Sequence, residues 1–279
     1  KDLPSEIRVV RAFALDTARH LSAWGMYPRA LAIPDRWLTW WIGAVPAGIR
    51  LIRKYKPDLL WSTYPIATAH LIALSLHKIM GIRWIADFRD SMTEENYPAD
   101  PIVKKAYDRI EAETVQHCSR AVFTTPGALR MYSERYPELQ RSRWSVIANG
   151  YDEEDFNDAE GYQMGKTSPS GSITLLHSGL IYPSERDPRP FFDALTNLKK
   201  TGSIAPSELV VVLRGSGHES YLRDLLIERG VQDIVKLEPS IPYAQALRET
   251  LHADGLLVLQ ASNCNHQIPN GKIRNNWKY

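Results

Sequence analysis

Short apolar runs alternate with longer stretches in which apolar residues recur at helical spacing, the mark of strands separated by amphipathic helices. From Pro57, "PDLLWSTY" reads as a strand ending in small polar residues. "PIATAHLIALSLHKIMG" follows as a helix with its stop at Gly81. "RWIADFRD" is the next strand, and "DPIVKKAYDRIEAETVQHCS" an amphipathic helix with Asp100 as cap and Pro101 as first residue. "RAVFTTP" predicts a strand, "GALRMYSERYP" a short helix, and "WSVIANGYDEEDF" a strand running into an Asn-Gly turn.

At Asn157 the pattern stops. Residues 157–171 are polar, rich in Gly and Ser and without period, and read as a linker. The alternation then restarts. "ITLLHSGLIY", "ELVVVLRGSG", "IVKLEPSIP" and "GLLVLQAS" predict strands with their loops. "DPRPFFDALTNLKKTG", "HESYLRDLLIERG" and "YAQALRETLHAD" predict the helices between them. Strands separated by helices of this length make βαβ units and parallel sheets. The expectation is an α/β chain of two doubly wound domains, residues 1–156 and 172–279, joined by the linker.

The outer ends depart from that pattern. The opening "KDLPSEIRVVRAFALD" offers a short strand but no glycine turn, and the second domain lacks closing helices after "QIPNGKI". The chain therefore reads as trimmed at both ends. "WLTWWIGAVPAGIRLI" (Trp37 to Ile52), broken by Pro46 and Gly48, reads as a helix packed on the core, with a membrane-surface contact as the alternative.

Composition narrows the classes. The 279 residues are 44% hydrophobic and 24% charged, which supports a sizeable core, and the net charge of +2 points to neither a nucleic-acid binder nor an acidic one. Two distant cysteines, Cys118 and Cys264, rule out a disulfide scaffold and suit a reducing, cytoplasmic setting. No signal peptide and no long apolar stretch is seen. Eight scattered histidines form no H-x-x-x-H pattern, so no metal is expected, and neither a Walker loop nor a G-x-S-x-G elbow occurs.

Parallel sheets bind ligands outside the carboxyl ends of their strands. After "WIADF" stand Asp87, Arg89 and Asp90. They read either as an Arg–Asp pair holding the loop, or as an acid that orients or deprotonates an acceptor hydroxyl. After "ITLLHS" come Gly179 and Leu180, where backbone can approach a ligand. Arg186 and Arg189 precede a helix starting near Pro190, which makes an anion site, with solvated surface arginines as the alternative. "RGSGH" brings Arg214, Gly215 and Gly217 to the next strand end, as a ligand loop or a tight turn. Asn149-Gly150 favours positive φ and reads as a hinge before the linker.

In order and spacing, "WIADFRD", "SRAVFTTPGALRMYSERYP", "VIANGYDEEDF", "LLHSGLIYPSERDPRPFFDAL", "VVLRGSG" and "ADGLLVLQ…QIP" resemble the bacterial group 1 glycosyltransferases. These are retaining, sugar-nucleotide-dependent enzymes of the GT-B fold. The resemblance spans nearly the whole chain. It implies two Rossmann-like domains facing across a cleft, acceptor on the first and nucleotide sugar on the second. It assigns acceptor or sugar contacts to Arg89 and Asp90, with Asp87 beside them. Donor diphosphate contacts fall to Gly179, Leu180, Arg186, Arg189, Arg214, Gly215, Gly217 and Lys272, and the hinge to Asn149 and Gly150. It implies a UDP- or GDP-sugar donor with no tightly bound cofactor, a cell-surface glycan or lipid-linked acceptor, no nucleic acid, and a cytoplasmic place with peripheral membrane contact.

Where the family carries an aromatic-Glu-Tyr-Leu helix start that binds the donor, this chain has Arg274 and Asn275. Losing such an acidic anchor should weaken donor binding by about 1–3 kcal/mol. The sequence thus leaves three readings: a glycosyltransferase, a remnant that binds nucleotide or partner without turnover, and a sugar-nucleotide epimerase of the same fold.

Overall fold

The computed structural model describes residues 6–22, 24, 26–94, 97–160, 171–183 and 186–259. It divides into two compact units, Lys1–Asn149 and Gly150–Tyr279. Unit 1 holds a parallel sheet in the order β1 (Leu59–Thr63), β2 (Arg83–Phe88), β3 (Arg120–Phe123), β4 (Trp144–Val146). Each strand pairs with its predecessor, in the register Ala86 against Ser62 and Ala121. The connecting helices are α3 (Ala67–Met80), α4 (Pro101–His117) and α5 (Pro126–Arg135).

Alternation along the strands decides which face is buried. Trp84, Ala86 and Phe88 of β2 point into one core with Phe123, Leu74, Ile110 and Tyr132. On the other face, Leu59 and Trp61 remain 42% and 48% exposed. Buried polar side chains of this core meet one another at Ser62, while His70 Nε2 and Thr114 Oγ1 have no partner among the described residues. The Ser62 hydroxyl accepts from Trp84 Nε1 at 2.8 Å and meets His70 Nδ1 at 2.8 Å. Burial pushes the His70 imidazole down to about 3, so it is neutral.

Two helices precede the sheet, α1 (Thr17–His20) and α2 (Trp40–Tyr55). The aromatic-rich stretch does pack on a core, Val45 of α2 against Ile72 and Leu76 of α3. Close approach explains the α2 glycines. A Cβ at Gly48 would stand 2.7 Å from Leu76 Cδ1, and one at Gly43 2.4 Å from the Phe13 carbonyl oxygen.

That Phe13 contact corrects the expected opening strand. Residues 6–16 form no ladder. They run antiparallel along α2 instead: Arg8 stacks on Tyr55, Phe13 lies on Gly43, and Leu15 N–H donates to Thr39 Oγ1. The segment meets a helix, whose backbone is already paired, and so finds no sheet edge.

Unit 2 begins with α6 (Glu153–Glu160), which packs on α9 (Tyr243–His252). Residues 157–160, expected in the linker, are the last half of α6. Three acidic residues in its first turn favour the positive helix end. Residues 161–170 lie outside the described residues. The sheet runs β7 (Val235–Glu238), β6 (Leu209–Arg214), β5 (Ile173–Ser178), β8 (Gly255–Leu256), all parallel. Helices α7 (Arg189–Lys200) and α8 (Glu219–Arg229) bury Phe192, Leu195 and Leu222 against Val211 and Leu213. Order reverses between β5 and β8, the switch point of a Rossmann-like sheet. Both units are thus mixed α/β with parallel, Rossmann-like sheets. Among the described residues no helix is long and apolar enough to cross a membrane.

Candidate functional site

In unit 1 the carboxyl ends of three strands converge. Asp87, still in β2, accepts from Thr63 Oγ1 of β1 at 2.9 Å. Arg89 follows at the strand's end, and its carbonyl accepts from Thr124 Oγ1 beyond β3 at 3.0 Å. Arg89 Nη2 donates to Asn149 Oδ1 at 3.4 Å. The expected Arg–Asp pair is therefore absent among the described residues; Arg89 reaches an amide sixty residues later instead. Asp90 is exposed and makes no ion pair or hydrogen bond among the described residues. Its carboxylate is available to a ligand.

The Asn149-Gly150 expectation also changes. Neither residue has positive φ, and neither lies in a turn. Asn149 serves here through its side chain, as the acceptor for Arg89. The boundary between the two units falls between these residues.

The loop that carries Asp90 is anchored from below by groups the sequence reading missed. Glu111 of α4 is buried, with 1% of its surface exposed. It accepts from Tyr132 at 2.8 Å, Tyr136 at 2.9 Å, Arg135 Nη1 at 2.5 Å and Thr93 Oγ1 at 3.1 Å. Arg135 also donates to the Thr93 carbonyl at 3.0 Å, and Tyr132 OH accepts from Met92 N–H at 3.0 Å. Burial, reinforced by the Glu111 charge, pushes the Tyr132 phenol well up, so it stays a donor. A signal was present: Glu111 shares the apolar helical face of Tyr107, Ile110, Thr114 and Val115, where a carboxylate must find partners.

In unit 2 the corresponding strand ends are shaped by backbone. Gly179 follows β5 with φ +133°, and a Cβ built there would meet nothing within 4 Å. Its conformation demands glycine, and the space before it is open to a ligand. Gly179 N–H donates to the Arg214 carbonyl, Ile181 N–H to the Ser216 carbonyl, and Gly215 N–H to the Glu238 carbonyl. Gly215 and Gly217 both have positive φ, and Gly217 abuts the Leu180 side chain, which is itself half exposed. Under the loop, Ser216 Oγ and His177 Nε2 are buried without a hydrogen-bond partner among the described residues.

Two arginines expected at this site have other tasks. Arg214 donates to both Glu249 oxygens, at 2.8 and 2.6 Å, and to the Pro239 carbonyl. It joins β6 to α9. Arg189 is forked on Asp187 at 2.9 Å, and Asp187 Oδ1 also accepts the Arg189 N–H at the start of α7. The carboxylate thus takes up both the cation and part of the helix end on which an anion would rest. Arg186 has no carboxylate partner among the described residues; its guanidinium lies 6.0 Å from the Tyr182 ring. Lys272, with Arg274 and Asn275, lies outside the described residues. Among the described residues no cluster of His, Cys, Asp or Glu could hold a metal ion.

Residues 5–150 match the family described as glycosyl transferase 4-like domain. Among solved structures, the chain is similar to Anabaena HepE in complex with UDP-glucose, at 13% identity and TM-score 0.53, over 76% of this chain and 55% of that one. Sucrose-phosphate synthase from Thermosynechococcus elongatus matches at 14% identity and TM-score 0.51, over 85% and 57%. The lipopolysaccharide outer core galactosyltransferase WaaB matches at 13% and 0.51, over 77% and 53%. The chain thus spans little more than half the length of these structures. No curated protein matches it.

Proposed function

The chain belongs to the glycosyl transferase 4-like family, and from that premise we propose that it serves transfer of a sugar from a nucleotide-sugar donor to a glycan or lipid-linked acceptor. One observation carries this reading: Asp90 is a carboxylate without a partner among the described residues, at the carboxyl end of a parallel strand, on a loop held rigid beneath it. Such a group is placed to hydrogen-bond an acceptor hydroxyl and take its proton as the glycosidic bond forms and the sugar's anomeric bond to the diphosphate oxygen breaks, the nucleoside diphosphate leaving with the electron pair. Arg89, fixed by Asn149, supplies a positive charge beside it. Asp87, bonded to Thr63, shapes the strand end.

On the donor side, the open space before Gly179 suits a diphosphate against backbone, and Arg186 is the cation available to its charge. Gly215 and Gly217 shape the neighbouring loop, with Leu180 at its edge. Arg189 and Arg214 hold structure rather than phosphate. The join at Asn149 and Gly150 is the hinge. The donor is a UDP- or GDP-sugar, the transfer retains configuration, and the setting is cytoplasmic. The UDP-glucose bound in the similar HepE structure supports the donor class.

Calorimetric titration of the folded chain with UDP, GDP and their sugars tests the donor half. One nucleotide should bind, and Asp90→Asn should leave that binding unchanged while abolishing transfer. A folded chain that binds none of them would refute the reading.

A further inference from the structure

We propose that Tyr97 is a stacking platform for a pyranose ring of the acceptor, a subsite on the same loop as Asp90. This deepens the transfer reading, and calling the ring an acceptor rests on that reading.

Tyr97 is an exposed ring that is held still. It is 49% exposed. Its N–H donates to the Glu94 carbonyl at 3.3 Å, and its carbonyl accepts from Glu94 N–H at 2.9 Å. Lys104 Nζ, at the start of α4, donates to the same Glu94 carbonyl at 3.0 Å. The Tyr97 phenol hydrogen-bonds that of Tyr64, which is buried and in turn meets Tyr107 of α4. The rings of Tyr97 and Tyr107 meet edge to face, with centroids 6.5 Å apart and planes at 77°. Burial pushes the Tyr64 phenol well up and that of Tyr107 up to about 12, so both remain hydroxyls. Fixing a half-exposed side chain costs rotamer entropy and gains little burial in return. It is what a receptor needs, because ordering done before binding is not lost at binding.

Place and surroundings choose the ligand. Tyr97 and Asp90 share the loop between β2 and α4. Tyr64 directly follows β1, and its N–H donates to the Asp87 carbonyl at 3.0 Å. The ring is thereby tied to the carboxyl end of the sheet, the end that carries Asp90. Among the described residues of this loop the other exposed side chains are Arg89, Asp90, Glu94 and Ala99. One flat ring among charged groups lacks the cluster of apolar anchors on which a protein partner would rest. A pyranose has the matching chemistry. One of its faces carries C–H groups, polarised positive, which suit the negative face of an aromatic ring. Its edge carries hydroxyls, which suit carboxylates and a guanidinium. An aromatic wall with a few placed polar groups is how small-molecule sites are commonly built.

Saturation-transfer NMR on the full chain tests the platform. The probes are methyl glucoside, galactoside, mannoside and N-acetylglucosaminide, with glycerol as the acyclic control. At least one pyranoside should receive saturation, strongest on the C–H groups of one ring face, and glycerol should receive none. Tyr97→Ala should weaken that pyranoside by about tenfold and Tyr97→Phe by less, with circular dichroism unchanged in both. A tyrosine that only holds the loop would not rank the variants by their ring. Nucleotide titration of both variants should match that of the parent chain. No pyranoside bound, glycerol bound equally, or indifference to Tyr97→Ala would overturn the proposal. The two readings fail separately. Nucleotide binding without pyranoside binding sinks the platform and leaves transfer standing. Pyranoside binding at Tyr97 with no nucleotide bound keeps the sugar subsite and sinks transfer.

Discussion

Unit 1 and unit 2 present loops at the carboxyl ends of similar parallel sheets, but fasten them differently. In unit 1 the loop after β2 rests on side chains: Glu111 of α4, Arg135 and Tyr132 of α5, and Tyr136 just beyond α5. In unit 2 the loops after β5 and β6 are fastened to neighbouring strand ends by backbone hydrogen bonds, through glycines at positive φ. A side-chain anchor places one exposed carboxylate firmly while leaving its backbone ordinary. A backbone anchor leaves a surface without side chains, onto which a charged, flexible ligand can lie. The first suits an acid that must meet one hydroxyl, and the second a diphosphate.

Acid should separate the units most strongly. The folded His70 titrates at about 3, against an ordinary value of 6.5. A lowered histidine contributes stability that is present above pH 6.5 and lost as pH falls towards 3. The loss amounts to roughly 4–5 kcal/mol at full expression. Seven of the eight tryptophans lie in unit 1. Tryptophan fluorescence should therefore report unfolding at a higher pH than the far-ultraviolet signal of the whole chain. His70→Gln should narrow that gap.

Glu111→Gln comes next. It leaves Arg135 without its charge partner and should destabilise unit 1 by about 3–5 kcal/mol, read as an earlier urea transition in tryptophan fluorescence. Gly179→Ala attacks the backbone anchor. Forcing an alanine to φ +133° costs about 1–3 kcal/mol. The added methyl also enters the space assigned to the diphosphate, so nucleotide affinity should fall by more than stability does. Arg189→Ala has the smallest effect: with its guanidinium already spent on Asp187 and exposed, neither nucleotide titration nor unfolding should register it. A large loss of nucleotide affinity in that variant would return Arg189 to the donor site.

What was legible in the sequence follows from the range of the forces involved. The strands and helices from Leu59 to Val146 and the Asp100–Pro101 cap are written within a few residues of themselves, and the structure has them where the pattern puts them, whereas α6 falls where a turn and linker were expected. Strand-end positions of Asp90 and Gly179 could be read because βα loops must fall there. The fate of individual arginines could not. Arg214 meets Glu249 thirty-five residues on, and Arg89 meets Asn149 sixty residues on. Asn149-Gly150 misled because the dipeptide's turn preference yields to a tertiary hydrogen bond. The opening segment misled because apolar residues alone do not say whether a sheet edge or a helix awaits them.

The two strand orders also set different schedules of assembly. In unit 1 each strand pairs with the one made just before it, so the sheet can grow as the chain emerges. In unit 2 the pairing of β5 with β8 must wait. Thr174 N–H binds the Asp254 carboxylate across eighty residues, and Leu257 N–H reaches back to the Leu176 carbonyl. Closing so long a loop is slow, because its entropy is lost before its contacts form. Until then one edge of β5 lacks its neighbour. Unit 2 is thus the part that most needs shelter during synthesis, and a chaperone bound to the nascent chain should be found on β5.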